Sequence, residues 1–303
     1  MFHYHLCTYF IYQFVGRIIV DNNCKIGIFD SGFGGLTIFK CIKELLPEYD
    51  YIYLGDNART PYGVRSFETV YQFTTEGVDF LFKKGCRLII IACNTASARA
   101  LRSIQQKWLP KHLHYSLFPF LRVLGVIRPT VEDISKFTKN FNVALWATPG
   151  TVKSESFALE INHFAPNINL IQTPCPLLVP LVESGELEGA GVDYFISKYW
   201  QQTINQDIIN TTNVDTLLLA CTHYPLLLPS IQKLLPLNIK ILTQGELVSE
   251  SLNDYLKRHP EMSCKLSKNS SVLFYTTDQC DYFNNLARIF MGEKISSQIA
   301  KIN

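Results

Sequence analysis

Nine short apolar runs, separated by stretches of amphipathic character, set the strongest limit on what this chain can form. They fall at 25–29, 51–54, 88–92, 123–126, 142–146, 169–172, 216–220, 239–242 and 272–275. Most are continuously apolar rather than alternating, as strands covered on both faces must be. Helix-like segments lie between them at 36–46, 66–84, 96–108, 151–164 and 189–202. Buried strands separated by helices indicate parallel sheets, so the expected fold class is α/β with doubly wound sheets. At 303 residues the chain suits one or two domains.

The two halves of the chain echo one another. RLIIIACNTA (87–96) is similar to TLLLACTHYP (216–225), an apolar run ending in alanine, cysteine and a nearby hydroxyl-bearing residue. Upstream of each, KIGIFDSGFGG (25–35) and NVALWATPGTV (142–152) run from a strand into a turn of small residues. Two similar lobes facing each other would set Cys93 and Cys221 on opposite walls of one cleft.

Composition excludes several classes. Hydrophobic residues make up 47% and charged residues 18%, a globular rather than a disordered balance. A net charge of +2 with no Lys/Arg cluster leaves no basic footprint for nucleic acid. The nine cysteines form no C-x-x-C pair, which argues against a zinc knuckle or a thioredoxin-type motif. His3, His5, His112, His114, His163 and His259 show no metal-ligand spacing, so no metal is expected. Residues 1–24 are aromatic but lack a positive n-region and a small-residue cleavage site. His3, His5, Gln13 and Arg17 interrupt them, which suits a membrane span poorly. They read as an extension, and the thiols as reduced in a cytoplasm. KHLHYSLFPF (111–120) breaks the strand–helix alternation and reads as a loop or insertion.

Four features fall where open α/β sheets bind ligands, at the carboxyl ends of strands. Asp30-Ser31-Gly32-Phe33-Gly34-Gly35 would let backbone N–H groups approach an anion at a helix start, although a turn capped by Asp30 or Ser31 explains it equally well. Pro61-Tyr62-Gly63 offers a phenol and free amides; alone it is an ordinary turn. Cys93-Asn94-Thr95 and Cys221-Thr222-His223 each place a thiol where a strand gives way to a helix. Helix ends and donors favour thiolate there, so the thiol pKa is expected below its free value of about 8.5. Taken singly, either cysteine fits an inert core position; the recurrence of one pattern in both halves favours function.

With those residues in view, DSGFGGLTIFKCIKELLP, YLGDNARTPYGVRS, IIIACNTASARAL, CPLLVPLVESGELEG and LLLACTHYPLL together resemble the motifs of bacterial glutamate racemases, in the right order from about Lys25 to Gly292. The resemblance implies two α/β lobes with the active site between them: a 1–24 extension, a first lobe of 25–121 plus 238–295, and a second of 122–237. It implies Cys93 and Cys221 as catalytic cysteines, assisted by Asp30 and His223, with Glu183 in an auxiliary role. It further implies that Asp30, Ser31, Tyr62, Gly63, Asn94, Thr95, Thr222 and His223 hold the substrate glutamate. No cofactor and a homodimer are implied, together with D-glutamate supply for peptidoglycan. Two stretches depart from the family pattern. Ala147-Thr148-Pro149-Gly150-Thr151-Val152 touches an expected cleft loop. Thr243-Gln244-Gly245-Glu246 is expected to leave the mechanism untouched.

Two thiols suit racemisation because one must take a proton from one face of a carbon while the other returns one to the opposite face. Acid/base groups work best with pKa values near the operating pH, and thiols start close to it. Three other readings compete. One is a racemase of aspartate or a hydantoin. Another is a cysteine hydrolase with His223 as base, although His223 lies only two residues from Cys221 and lacks an evident orienting partner. The third is a non-catalytic sensor built on the glycine turn. Without the resemblance, Glu183, Glu186 and Glu188 read equally as a solvated helix face.

Overall fold

The computed structural model describes residues 24–112, 121–206 and 214–302. The expected 1–24 extension, apart from Cys24, and most of the 111–120 loop lie outside them. Two all-parallel sheets form the frame. The first has six strands in the order β10-β9-β2-β1-β3-β4: Ser297–Ile299, Val272–Thr276, Tyr51–Gly55, Lys25–Asp30, Cys86–Ile91 and Arg122–Gly125. The second has four in the order β6-β5-β7-β8: Asn169–Pro174, Asn142–Ala147, Thr216–Ala220 and Lys240–Leu242. The expected α/β class holds, and all nine expected strands are present. β10 was not foreseen, because it is a half-exposed edge strand of three residues with no apolar run.

The order β2-β1-β3-β4 in one sheet is repeated as β6-β5-β7-β8 in the other. In each, the chain winds to one side of a central strand and then crosses to the other, which leaves a crevice at the strands' carboxyl ends. The sheets themselves divide the chain at different points from the expected lobe boundaries at 121/122 and 237/238. β4 pairs with β3, with Leu88 opposite Arg122 and Ile91 opposite Gly125, so it belongs to the first sheet. β8 pairs with β7, with Thr216 opposite Lys240, so it belongs to the second. Each sheet keeps its own fourth strand before the chain changes lobe.

Strand residues alternate between two covered faces. Tyr51 and Tyr53 face one apolar cluster while Ile52 and Leu54 face another. Ala144 and Trp146 lie in the same large cluster as Tyr51 and Tyr53, whereas Val143 and Leu145 lie in a third. One core thus spans both sheets, with a separate apolar layer behind each.

Helices cover the sheets. α1 (Leu36–Leu45) buries Leu36, Ile38, Phe39 and Ile42. α2 (Phe67–Lys83) starts at Ser66, whose hydroxyl accepts from the Thr69 amide and satisfies one of the free N–H groups of the first turn. α3 (Asn94–Arg99) follows β3 directly, and the chain continues in short irregular turns to Lys111. α4 (Ile127–Ile134) follows β4. The helix expected over 151–164 is two, α5 (Pro149–Lys153) and α6 (Ser156–Phe164). Between them Glu155 is left-handed at φ 55°, and the Ser154 hydroxyl takes the Thr151 carbonyl at 2.6 Å, so the first helix cannot run on. α7 (Leu178–Glu183) and α8 (Ala190–Ile204) follow β6, and α9 (Leu228–Leu234) follows β7. α10 (Gly245–Arg258) leaves β8 and packs back on α1, so closely that a Cβ on Gly245 would stand 2.5 Å from the Cys41 sulfur. α11 (Cys280–Met291) follows β9. Among the described residues, no helix is long and apolar enough to cross a membrane.

Candidate active site

Asp30 ends β1, and Cys93 lies just beyond β3, its neighbour in the sheet. Cys93 is the N-cap of α3 in extended geometry, and its sulfur accepts from the Ala96 amide at 3.4 Å and the Ser31 hydroxyl at 3.3 Å. Contrary to the sequence expectation, the helix start does not lower this thiol's pKa. Burial and the Asp30 carboxylate push it up to about 12, against the Ser31 and Ala96 hydrogen bonds. Asp30 is fully buried and accepts from the Gly32 amide at 2.9 Å through Oδ2, while Oδ1 finds no partner among the described residues. Burial raises the Asp30 carboxyl, against the pull of His223 and the Gly32 and Gly35 amides.

Cys221 stands directly after β7. Its sulfur lies 4.0 Å from His223 Nδ1, and His223 Nε2 lies 3.0 Å from Glu183 Oε1 at the end of α7. Burial disfavours a charged imidazole, but Cys221 and Glu183 outweigh it and push the His223 pKa up to about 10. Both ring nitrogens then donate, one to the sulfur and one to the carboxylate. Of the three glutamates after Val182, Glu186 and Glu188 make no contact with this histidine, which separates Glu183 from a merely solvated face.

The thiols back onto different apolar clusters, Cys93 behind the first sheet and Cys221 in the shared core. They nevertheless occupy one electrostatic neighbourhood: Cys221 is among the charges that raise Cys93, and His223 and Glu183 both act on Asp30. The glycine turn makes this closeness possible. A Cβ on Gly34 would lie 2.3 Å from Thr222 Oγ1 and 2.5 Å from His223 Nδ1. Thr37 Oγ1, from α1, donates to the Thr222 carbonyl at 2.9 Å.

Thr95 and Gly63 join the lobes. Thr95 Oγ1 is bonded to Thr148 Oγ1 at 2.9 Å and to Thr151 Oγ1 at 3.3 Å. The Gly150 amide donates to the Gly63 carbonyl at 2.8 Å. A Cβ on Gly150 would lie 2.7 Å from that same oxygen, which accounts for glycine in the divergent ATPGTV stretch. Tyr62 is buried with its hydroxyl bonded to Asp56, beside Phe29 and Phe73, so its phenol is committed within the first lobe.

Two residues that were given no role from the sequence lie at the site. Asn57 carries a buried Nδ2 with no partner among the described residues, near the Gly32 turn. Gln244 accepts from Asn94 Nδ2 at 2.6 Å, so the TQGE stretch reaches the residue next to Cys93 instead of lying apart from the chemistry. An isolated Gln in a divergent stretch carried no signal of this. A separate cavity of about 350 Å³, lined by Phe80, Trp108, His112 and Lys301 among others, contains none of the candidate residues. Among the described residues, no group of three His, Cys, Asp or Glu could hold a metal ion.

No protein-family model matches the chain. It is 37% identical over 280 residues to the glutamate racemase of Dinoroseobacter shibae, covering 89% of this chain and 96% of that one. The chain belongs to the glutamate racemase family. The Aquifex aeolicus member is 36% identical over 275 residues, covering 91% and 97% of the two chains. Among solved structures, glutamate racemase from Francisella tularensis in complex with D-glutamate superposes with a TM-score of 0.77 at 32% identity, covering 93% and 99%. A Bacillus anthracis glutamate racemase isoform reaches a TM-score of 0.80 at 31% identity, covering 93% and 98%. The chain therefore spans nearly the whole length of these family members.

Proposed function

We propose that this chain interconverts L- and D-glutamate by two-base proton transfer between Cys93 and Cys221. The single observation that carries the reading is the pair of thiols at the carboxyl ends of equivalent strands, β3 and β7, each with its own polar partner. In one direction a thiolate takes the α-proton and becomes a thiol, while the electron pair stays on the carbon and spreads into the carboxylate. The opposite thiol then protonates the other face and is left as thiolate. The reverse direction exchanges the two roles. At neutral pH a His223 of pKa about 10 is cationic, and its charge stands beside the Cys221 sulfur as negative charge develops there.

Substrate chemistry complements the Cys93 side. An α-ammonium offsets the burial and carboxylate charge that hold this thiol protonated. Its N–H donors suit the unpaired acceptors Asp30 Oδ1 and Asn94 Oδ1. Thr95, Thr222 and the Gly63 loop supply groups for the carboxylates. The reaction so written needs no pyridoxal phosphate and no metal. The described cysteines are all free, which suits a reducing, cytoplasmic setting, and the D-glutamate formed would serve as a peptidoglycan precursor. A homodimer that binds neither nucleic acid nor membrane completes the proposal.

The test follows solvent deuterium into each glutamate enantiomer without added cofactor and with EDTA present. Cys93→Ser and Cys221→Ser should each lose racemisation by about a thousandfold or more. Wild-type rates in both serine variants refute the two-thiol mechanism. Exchange with aspartate but not glutamate refutes the substrate.

A further inference from the structure

Gln244 precedes α10 and is 2% exposed. Its Nε2 donates to Thr130 Oγ1 at 2.9 Å and lies 3.4 Å from the Val126 carbonyl. A carbonyl only accepts. The Thr130 hydroxyl spends its one proton on the same Val126 carbonyl at 2.8 Å, so its oxygen also accepts. Both neighbours therefore demand the N–H end of the Gln244 amide, and Oε1 must face the other way. That oxygen meets Asn94 Nδ2 at 2.6 Å. The orientation of Asn94 follows in turn: its N–H end is held by Gln244, and Oδ1, buried and unpartnered among the described residues, is turned away. Asn94 is the residue after Cys93 and opens α3.

We infer that Gln244 is a positioning residue which locks the Asn94 amide with its carbonyl oxygen toward the substrate, so that the site selects an α-ammonium group over an uncharged α-substituent. This rests on the reading of the Cys93 neighbourhood as the place where an α-amino acid binds. Released from Gln244, the Asn94 amide can turn and present N–H groups, which an ammonium cannot satisfy. A hydroxyl can donate or accept, so an α-hydroxy acid is indifferent to the turn. Selectivity between the two classes is therefore the property Gln244 controls.

The experiment measures binding of D-glutamate and of 2-hydroxyglutarate by calorimetry, alongside deuterium exchange of glutamate by the same preparations. Gln244→Met fills a similar volume and removes both polar ends. Its affinity for glutamate should fall about tenfold while that for 2-hydroxyglutarate changes less than about twofold. Gln244→Glu, buried against two acceptors and therefore protonated, keeps an O–H toward Val126 and Thr130 and a carbonyl toward Asn94, and should keep the glutamate preference within about threefold of wild type. Equal losses for both ligands in Gln244→Met, or loss of the preference in Gln244→Glu, overturn the inference, as does a wild-type protein with no preference for glutamate. If selectivity responds as expected but no preparation exchanges the α-proton, the orienting role stands and the racemase reading falls. Exchange in wild type with unchanged selectivity in Gln244→Met sinks the orienting role and leaves the racemase reading standing.

Discussion

A single methyl group at Gly34 tests whether the close approach of the two lobes is what holds His223 against Cys221. In Gly34→Ala the new Cβ would stand 2.3 Å from Thr222 Oγ1 and 2.5 Å from His223 Nδ1. Ordinary contact begins near 3.4 Å, so one wall must retreat by about 1 Å. The imidazole has little freedom, since it is bonded at 3.0 Å to Glu183 and stands edge-on to the Phe290 ring. Overpacking of this kind costs about 1–3 kcal/mol. Displacing a catalytic group by about 1 Å costs about a hundredfold in turnover. The expected result is a kcat for racemisation lower by about two orders of magnitude, with a fall in Tm of a few degrees. Gly191→Ala is the control: nothing lies within 4 Å of its Cβ position inside α8, so the change should be neutral or stabilising by up to about 1 kcal/mol. Polarimetry of L- and D-glutamate gives the rates, and thermal denaturation gives the stabilities. A Gly34→Ala protein with wild-type kcat refutes the claim that this turn sets the position of His223.

The pH dependence of stability carries a defined sign. His223 has its folded pKa raised from 6.5 to about 10, so the stabilisation from its cation is complete below 6.5 and is lost as pH rises through about 10. The Tm difference between wild type and Glu183→Gln should therefore shrink as pH is raised through that window, and a difference that grows would contradict the ion pair. Gly150→Ala would press a Cβ to 2.7 Å from the Gly63 carbonyl across the lobes, and KM for glutamate should rise about tenfold in steady-state assays. Asp50 is held well below the usual carboxylate range because hydrogen bonds from Ser267, Ser271 and Asn269 outweigh the opposing effect of burial. Asp50→Ala should cost about 2–3 kcal/mol in urea denaturation at neutral pH. Because the folded pKa is depressed, that difference should be fully present above the unfolded value of 3.8 and diminish as pH falls through the lower folded one.

What could be read along the chain was whatever depends on neighbours in sequence. Each catalytic candidate thiol ends an apolar run, so Cys93 and Cys221 stood out, and the echo between 87–96 and 216–225 anticipated the repeated strand order. Properties set by distant residues stayed hidden. Gln244 lies 150 positions from Asn94, and nothing local joins them. The direction of the Cys93 pKa depended on how completely the fold buries it beside Asp30, which outweighs the helix-end effect inferred from its position. The Tyr62 phenol, offered by its loop in the sequence, is bonded to Asp56, a partner whose reach only the folded loop reveals. Sheet membership of β4 and β8 escaped notice because an apolar run does not specify which edge it will join.

A polypeptide of L-residues has no mirror plane to offer a pair of mirror-image ligands. The duplicated winding of β2-β1-β3-β4 and β6-β5-β7-β8 supplies two similar but distinct half-sites in its place. The walls are chemically unequal, serine and aspartate on one side and histidine and glutamate on the other. Left- and right-handed glutamate are equal in free energy, so kcat/KM must match in the two directions. Turnover and saturation taken separately are under no such constraint, and under the two-thiol proposal the unlike walls give each enantiomer its own pair of values.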